Sequence, residues 1–264
     1  MKKNMVLFLV IIMIFSLVGC TSKANTDKVA EIKKAGKLVI GTSAAYPPFE
    51  FHAEIDGKDQ IVGFDIDIAK ELAKDLGVEL EIKDMQFAGL LAALNAGKID
   101  IVVAGVTPTE ERKKSVDFSK MYYTVKQAVI VKKGKEKDIK SIEDIKDMKI
   151  SVQKGTTQEQ IAKDYLPESQ IKALGKISDS ILELKNDKVE GVIAEDLVAK
   201  AYVKNNSDLT LVEVDIDEGD NGSAIAIKKG NEDLVEAINV SLDKMVENKM
   251  IEKFIDDAIE ISDK

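Results

Sequence analysis

The sequence predicts an α/β protein, and three observations carry the prediction. Short apolar runs of β type alternate with amphipathic segments of helical period, the pattern of layered strand–helix units with largely parallel sheets. Apolar residues make up 45% of the 264, enough for a sizeable core in one large domain or two compact ones. Charged residues make up 32%, which solvates the surface and argues against disorder.

The fold does not start at residue 1. Lys2 and Lys3 precede Met5–Gly19, fifteen residues that are apolar or small except for Ser16. A bilayer span needs about 20 such residues, so the stretch is read as a secretory h-region and residues 1–19 as a signal peptide. It ends in "LVGC", and Cys20 is the only cysteine of the sequence, which rules out an intrachain disulfide. Leu-Val-Gly-Cys at this place resembles a bacterial lipobox. That resemblance implies cleavage before Cys20, acylation of Cys20 with chains such as palmitate, and an extracytoplasmic protein held at the cell membrane. Residues 20–27 then form the lipidated tether. The cleaved chain would carry 36 basic and 47 acidic residues, net −11, so acyl chains rather than charge would hold it at the membrane. With no long basic run, that charge argues against nucleic acid as a partner.

The elements follow in order. "KLVIGT" (37–42) is a strand. "FDIDIAKELAKDLG" places Phe64, Ile68, Leu72 and Leu76 on one helical stripe and stops at Gly77, a favoured C-cap. "VELEIKD" (78–84) is a strand, "FAGLLAALNAG" a helix, and "KIDIVVAG" (98–105) a strand. Further strands are "QAVIVKK" (127–133), "KISVQ" (149–153), "EGVIAE" (190–195), "LTLVEV" (209–214) and "SAIAIKK" (223–229), with helices at 157–165 and 177–186. The segment 232–260 is helical to the C-terminus.

Ligands of open α/β sheets bind beyond the carboxyl ends of strands. After 98–105 comes Thr107-Pro108-Thr109-Glu110, read as a capping box with proline at the first helical position, so a helix is expected from Pro108. Its free N–H groups would make an anion site, and Arg112 one turn on could grip a carboxylate with two parallel bonds. From the local sequence alone the stronger reading of Arg112 is an ion pair on a surface helix. The pattern recurs after 149–153, where Gly155 precedes Thr156-Thr157-Gln158-Glu159. Two such strand-to-helix sites point to two walls facing one cleft. A third strand ends in Glu195 and Asp196, either of which can receive an ammonium or stabilise a helix start. Tyr46, Phe49 and Phe51 flank Pro47 and Pro48. Tyr46 can wall a pocket, while Phe49 and Phe51 read as core anchors. Asp65 and Asp67 need only the dipole of the helix they open. His52, the only histidine, reads as structural. No nucleophile set, metal cluster, dinucleotide or phosphate-loop motif is present, so no cofactor and no metal are expected.

"GTSAAYPPFEF", "GFDIDIAKELAKDLG", "LLAALNAGKIDIVVAGVTPTEERKKSVDFSKMYY", "VQKGTTQE" and "GVIAEDLVA" stand in the order of the polar amino-acid-binding proteins of ABC importers. The chain resembles that family from about Gly36 to about Met250. The resemblance implies the two-lobed type II periplasmic-binding fold, with lobe 1 from 28–123 and 223–264, lobe 2 from 127–219, and hinge crossovers at 124–126 and 220–222. It implies that Arg112 grips the α-carboxylate with the backbone N–H groups of Thr107 and Thr157, at the helix start of Thr156. The Gly105 carbonyl, the Thr107 hydroxyl and Glu195 would hold the α-ammonium. Tyr46 and Phe87 would form the aromatic walls, Ala104 the floor, and Gln153 would read the side chain. Relatives that bind lysine or arginine often have an acid at the Ser43 or Ala45 position. Here neither is acidic, so the pocket is read as neutral and suited to an uncharged polar side chain, with a cationic one left open because Glu54 or a carboxylate not placed by the sequence could reach it. The implied partners are a free amino acid and a permease with its cytoplasmic ATPase, and the implied state is a monomer. Two other readings stand beside this one: a cyclohexadienyl or arogenate dehydratase with Glu195 as general acid, and a ligand-sensing domain.

Overall fold

The computed structural model describes residues 27–214, 216 and 222–263. The expected signal peptide, Cys20, nearly all of the expected tether, and residues 220 and 221 of the expected second crossover lie outside the described residues.

Thirteen strands and nine helices of the α type are described. In chain order they are α1 Lys28–Ala35, β1 Lys37–Thr42, β2 Ala45–Tyr46, β3 Glu50–Ile55, β4 Lys58–Val62, α2 Phe64–Leu76, β5 Glu79–Asp84, α3 Leu90–Asn95, β6 Ile101–Val102, α4 Glu110–Lys113, β7 Val116–Thr124, β8 Gln127–Lys132, β9 Ile150–Gln153, α5 Thr157–Tyr165, β10 Ile171–Leu174, α6 Ile177–Lys185, β11 Gly191–Glu195, α7 Asp196–Lys204, β12 Leu209–Val214, β13 Gly222–Lys228, α8 Glu232–Glu247 and α9 Met250–Ser262.

The strands form two five-stranded sheets of matching order, β5-β1-β6-β13-β7 and β10-β9-β11-β8-β12, and a small antiparallel sheet β2-β3-β4. In each large sheet two of the four pairings are parallel and two antiparallel. This corrects the expectation of largely parallel sheets. The cause is connectivity. The chain leaves the first sheet along β7 and returns along β13, so these neighbours run in opposite directions, with Thr124 paired to Gly222. In the second sheet β8 enters and β12 leaves, and they pair antiparallel from Gln127 to Lys132.

The local rules that build the elements are visible at α2. Gly63 precedes it at φ 126°, where an added Cβ would stand 2.2 Å from the Phe49 carbonyl oxygen, so only glycine fits. The helix buries Phe64, Ile66, Ile68 and Leu72, each contributing about 1.5–3 kcal/mol relative to exposure. It ends at left-handed Gly77, as its sequence predicts. The 232–260 segment is two helices, because Lys249 takes a left-handed conformation at φ 54° between α8 and α9. One apolar cluster runs through both large sheets and their helices, from Ile40, Phe49 and Phe64 to Ile130, Val192 and Val198.

Two sequence expectations shift here. The helix expected from Pro108 is the one-turn α4, which starts at Glu110 with Thr109 as its cap, the Thr109 Oγ1 accepting from the Arg112 N–H at 3.3 Å. Thr107 and Thr109 close a tight turn instead, the Thr109 N–H donating to the Thr107 carbonyl at 2.9 Å. "KIDIVVAG" pairs only at Ile101–Val102, because the backbone leaves the ladder toward left-handed Gly105.

Candidate functional site

Two segments leave the carboxyl ends of their strands and meet face to face. From β6 the chain runs through Ala104, Gly105 and Thr107 to Arg112. From β9 it runs through Gln153 and Gly155 into α5. Gly155 has φ 84°, and a Cβ there would stand 3.0 Å from the Cα and Cβ of Ala88 across the gap. Only a residue without a side chain permits that approach. Between the segments lies a narrow cavity of about 10 Å³, room for about one water molecule.

All ten residues expected at a ligand line this cavity. Tyr46, Phe87, Ala104, Gly105, Thr107 and Arg112 come from the side of the first sheet; Gln153, Thr156, Thr157 and Glu195 come from the second. Ser43, the position where relatives often carry an acid, also lines it, as do Glu50 and Gln158, which were not expected there. Gln86 does not line it but abuts Gly175, which follows β10 of the second sheet and where an added Cβ would meet the Gln86 Nε2 at 2.9 Å.

Arg112 is not a surface ion-pair partner. Its Nη1 donates to the Thr107 carbonyl and its Nη2 to the Gly155 carbonyl, both at 2.8 Å, so one guanidinium joins the two walls. The group stands 5.4 Å from the centre of the Phe87 ring, within range of a cation–π contact. Burial lowers its pKa to about 10, against the opposing charges of Glu195 and Glu111. It therefore remains a cation at neutral pH. α4 is too short to contribute a helix dipole, so the positive charge on this side belongs to the Arg112 side chain. On the opposite side α5 begins as the sequence predicts, with the Thr156 Oγ1 accepting from the Glu159 N–H at 3.3 Å. Glu159 reaches back to the Gly155 N–H at 2.6 Å.

The acids face the rest of the cavity. Glu195 is 3% exposed, at the end of β11. Glu50, at the start of β3, is 1% exposed, and its Oε2 has no hydrogen-bond partner among the described residues. Burial pushes the Glu50 pKa well above the ordinary carboxylate range, and the charges of Asp65 and Glu195 push the same way, while the Ser43 backbone amide opposes them. Glu54 is exposed, further along β3, and is not among the residues lining the cavity. The expectation of a neutral pocket is therefore corrected: an acid lines it at Glu50, between Ser43 and Glu54 in the chain. Strand alternation explains it. Phe51 packs toward the core, so Glu50 must face the other way.

Further contacts close the cleft. The Gln153 Nε2 lies 3.3 Å from the Ser43 Oγ, the Tyr202 hydroxyl donates to the Ala45 carbonyl at 2.8 Å, and Lys176 pairs with Asp84 at 3.3 Å. Tyr46 is buried and packs on Phe49 with centroids 5.6 Å apart, and burial followed by the charge of Glu195 raises its pKa well above 10. Phe49 is fully buried and Phe51 7% exposed, both core anchors. His52 pairs with Asp59 at 2.9 Å on the exposed hairpin, away from the cavity.

The chain matches the model of the bacterial extracellular solute-binding proteins, family 3, over residues 38–258. It belongs to that family. Among curated relatives it is 41% identical to the arginine-binding extracellular protein ArtP of Bacillus subtilis, over 96% of both chains. It is 33% identical to the ABC transporter glutamine-binding protein GlnH of the same organism, over 93% of both. Among solved structures it resembles an amino-acid ABC transporter substrate-binding protein, AbpA of Streptococcus pneumoniae, bound to L-arginine. That match has a TM-score of 0.86 and 41% identity, over 89% of this chain and 99% of that one. The family fold is the two-lobed type II periplasmic architecture, and its members serve amino-acid ABC importers.

Proposed function

We propose that the chain is the lipid-anchored, extracytoplasmic receptor of an amino-acid ABC importer, and that its ligand is an L-amino acid with a cationic side chain, arginine first among them. Arg112 would take the α-carboxylate with the amide of Thr157, exchanging its carbonyl partners for a charged one. Glu195, the Thr107 hydroxyl and the Gly105 carbonyl would take the α-ammonium. The observation that carries the side-chain assignment is Glu50, a buried carboxylate lining the cavity with an oxygen that has no partner. Charge balance supports it. Arg112 opposes Glu50 and Glu195, leaving one excess negative charge when the last two are ionised. A zwitterion leaves that excess in place, and a zwitterion with a cationic side chain cancels it. The guanidinium is also planar and can bind a carboxylate with two bonds. The arginine-binding relatives support the same choice.

Binding would join the lobes, and the closed form would pass its ligand to a permease driven by a cytoplasmic ATPase. Lobe 1 would comprise 28–123 and 223–264, lobe 2 127–219, with hinges at 124–126 and 220–222. The protein would act as a monomer, tethered through acylated Cys20 after removal of residues 1–19, and would catalyse no reaction. Calorimetry with arginine, lysine, glutamine, histidine and cystine tests the reading. Arginine is expected to bind most tightly, and a preference for glutamine or cystine would overturn the assignment. Incubation with prephenate or arogenate is expected to leave both unchanged, and aromatic product would place the chain among dehydratases.

A further inference from the structure

Asp65 opens α2, yet the helix dipole does not account for it. Its companion Asp67 is partly exposed and pairs with Lys70 at 2.8 Å, as a helix-start acid should. Asp65 is fully buried beneath the cavity and does not line it. Its Oδ2 accepts two hydrogen bonds, from the Gly105 N–H at 2.8 Å and from the Tyr122 hydroxyl at 3.0 Å. Its Oδ1 is buried without a partner. Phe49, Phe64 and Tyr122, all buried, pack around this end of α2. Such an acid is costly to desolvate: burial raises its pKa to about 7 even though the Gly105 amide and Tyr122 hydroxyl lower it.

The two donors it joins belong to functional parts of the molecule. Gly105 lines the cavity, in the left-handed conformation at φ 55°. Tyr122 lies on β7, the strand whose end, Thr124, leads into the crossover. The Gly105 N–H held behind the cavity, with φ at 55°, anchors the residue whose own carbonyl the ammonium would meet. We propose that Asp65 is a positioning residue: by holding the Gly105 N–H it fixes Gly105, whose carbonyl would face the ligand's α-ammonium, and it ties that residue through Tyr122 to the crossing strand β7. The inference rests on the amino-acid receptor reading above. It adds a part played by a residue that never touches the ligand.

The test is a chemical double-mutant cycle by calorimetry. The tightest-binding L-amino acid of the panel above is compared with the same acid lacking its α-amino group, on wild type, Asp65→Ala, Asp65→Asn and Tyr122→Phe. In Asp65→Ala the preference for the amino acid over its desamino analogue should fall about 10–100-fold, the scale of one charge-assisted hydrogen bond. Affinity for the analogue itself should change little. A merely structural role would weaken both ligands equally and leave the preference intact, which would overturn the inference. Tyr122→Phe keeps the Gly105 bond and should keep the preference. If Asp65→Ala does not fold, Asp65→Asn decides. It retains an acceptor without charge, so the preference should fall by a smaller factor and the Gly105 amide proton resonance should move upfield. An unchanged preference with an unchanged Gly105 resonance would overturn the inference. Failure of wild type to bind any amino acid would instead overturn the receptor reading.

Discussion

Replacing Arg112 tests the clamp from the side of the carboxylate. Its two N–H groups hold carbonyls of both walls at 2.8 Å, and the Phe87 ring centre lies 5.4 Å away. A bound α-carboxylate would take the same donors. Hydrogen bonds to charged groups contribute about 1.5–3 kcal/mol each, and the cation–π contact about 0.5–1 kcal/mol or more. Removing one partner of a buried charge pair costs about 2–5 kcal/mol. Arg112→Ala should therefore weaken binding of the cognate amino acid by about 3–5 kcal/mol, a factor of about 100 to several thousand. Arg112→Lys keeps the charge but loses the planar fork, so it should fall between. Calorimetry at fixed salt reads both. A dissociation constant for Arg112→Ala within tenfold of wild type would refute the clamp.

Three further outcomes follow from other parts of the site. Glu50 has a raised pKa in the free protein, and a ligand cation would favour its ionised form. Arginine affinity should thus rise with pH through the free-state Glu50 pKa, with one proton released on binding, and calorimetry in buffers of different ionisation enthalpy should find that release absent from Glu50→Gln. Gly155→Ala would place a Cβ 3.0 Å from the Ala88 backbone at a positive φ, so it should weaken ligand binding by about 1–3 kcal/mol; an unchanged affinity would show that this approach does not belong to the bound form. Asp65 has a folded-state pKa of about 7 against 3.8, so it binds its proton more tightly when folded. Its contribution to stability is present below about pH 4 and is lost as pH rises to about 7, with a ceiling of about 4 kcal/mol at about 1.4 kcal/mol per pH unit. In denaturant unfolding Asp65→Asn should therefore gain on wild type at pH 8 and lose that advantage toward pH 5, and a constant difference would contradict it.

Much of the fold is legible because its central strands are apolar on both faces. β1, β8, β11 and β13 are buried along most of their length, and α2 carries its own stripe and cap. The expected cleft residues were legible through two strand-to-loop transitions and the family resemblance. What was hidden lies in the β3–β4 hairpin, whose strands are mostly polar and half exposed. Its signal was Asp56-Gly57, both at positive φ, the two-residue turn that marks a hairpin. Reading that turn would have placed Glu50 opposite Phe51 and so into the cavity. Asp65 was hidden for another reason. A solvated acid at a helix start and a buried one look alike in sequence, and only tertiary packing against Gly105 and Tyr122 separates them. The helix start at Pro108 failed because Thr107 and Thr109 compete for the same role, and the turn closed by Thr107 decides between them.

The central claim is that Glu50 reads a cation at the end of the ligand side chain. L-citrulline matches L-arginine in length and shape and carries no charge, so its dissociation constant beside that of arginine, on wild type and on Glu50→Gln, isolates the claim. Wild type should prefer arginine by about 100-fold or more, since a buried charge-assisted pair left half-made costs about 2–5 kcal/mol, and Glu50→Gln should remove most of that preference. Equal affinity for the two ligands in wild type, or an arginine preference that survives in Glu50→Gln, would contradict the account.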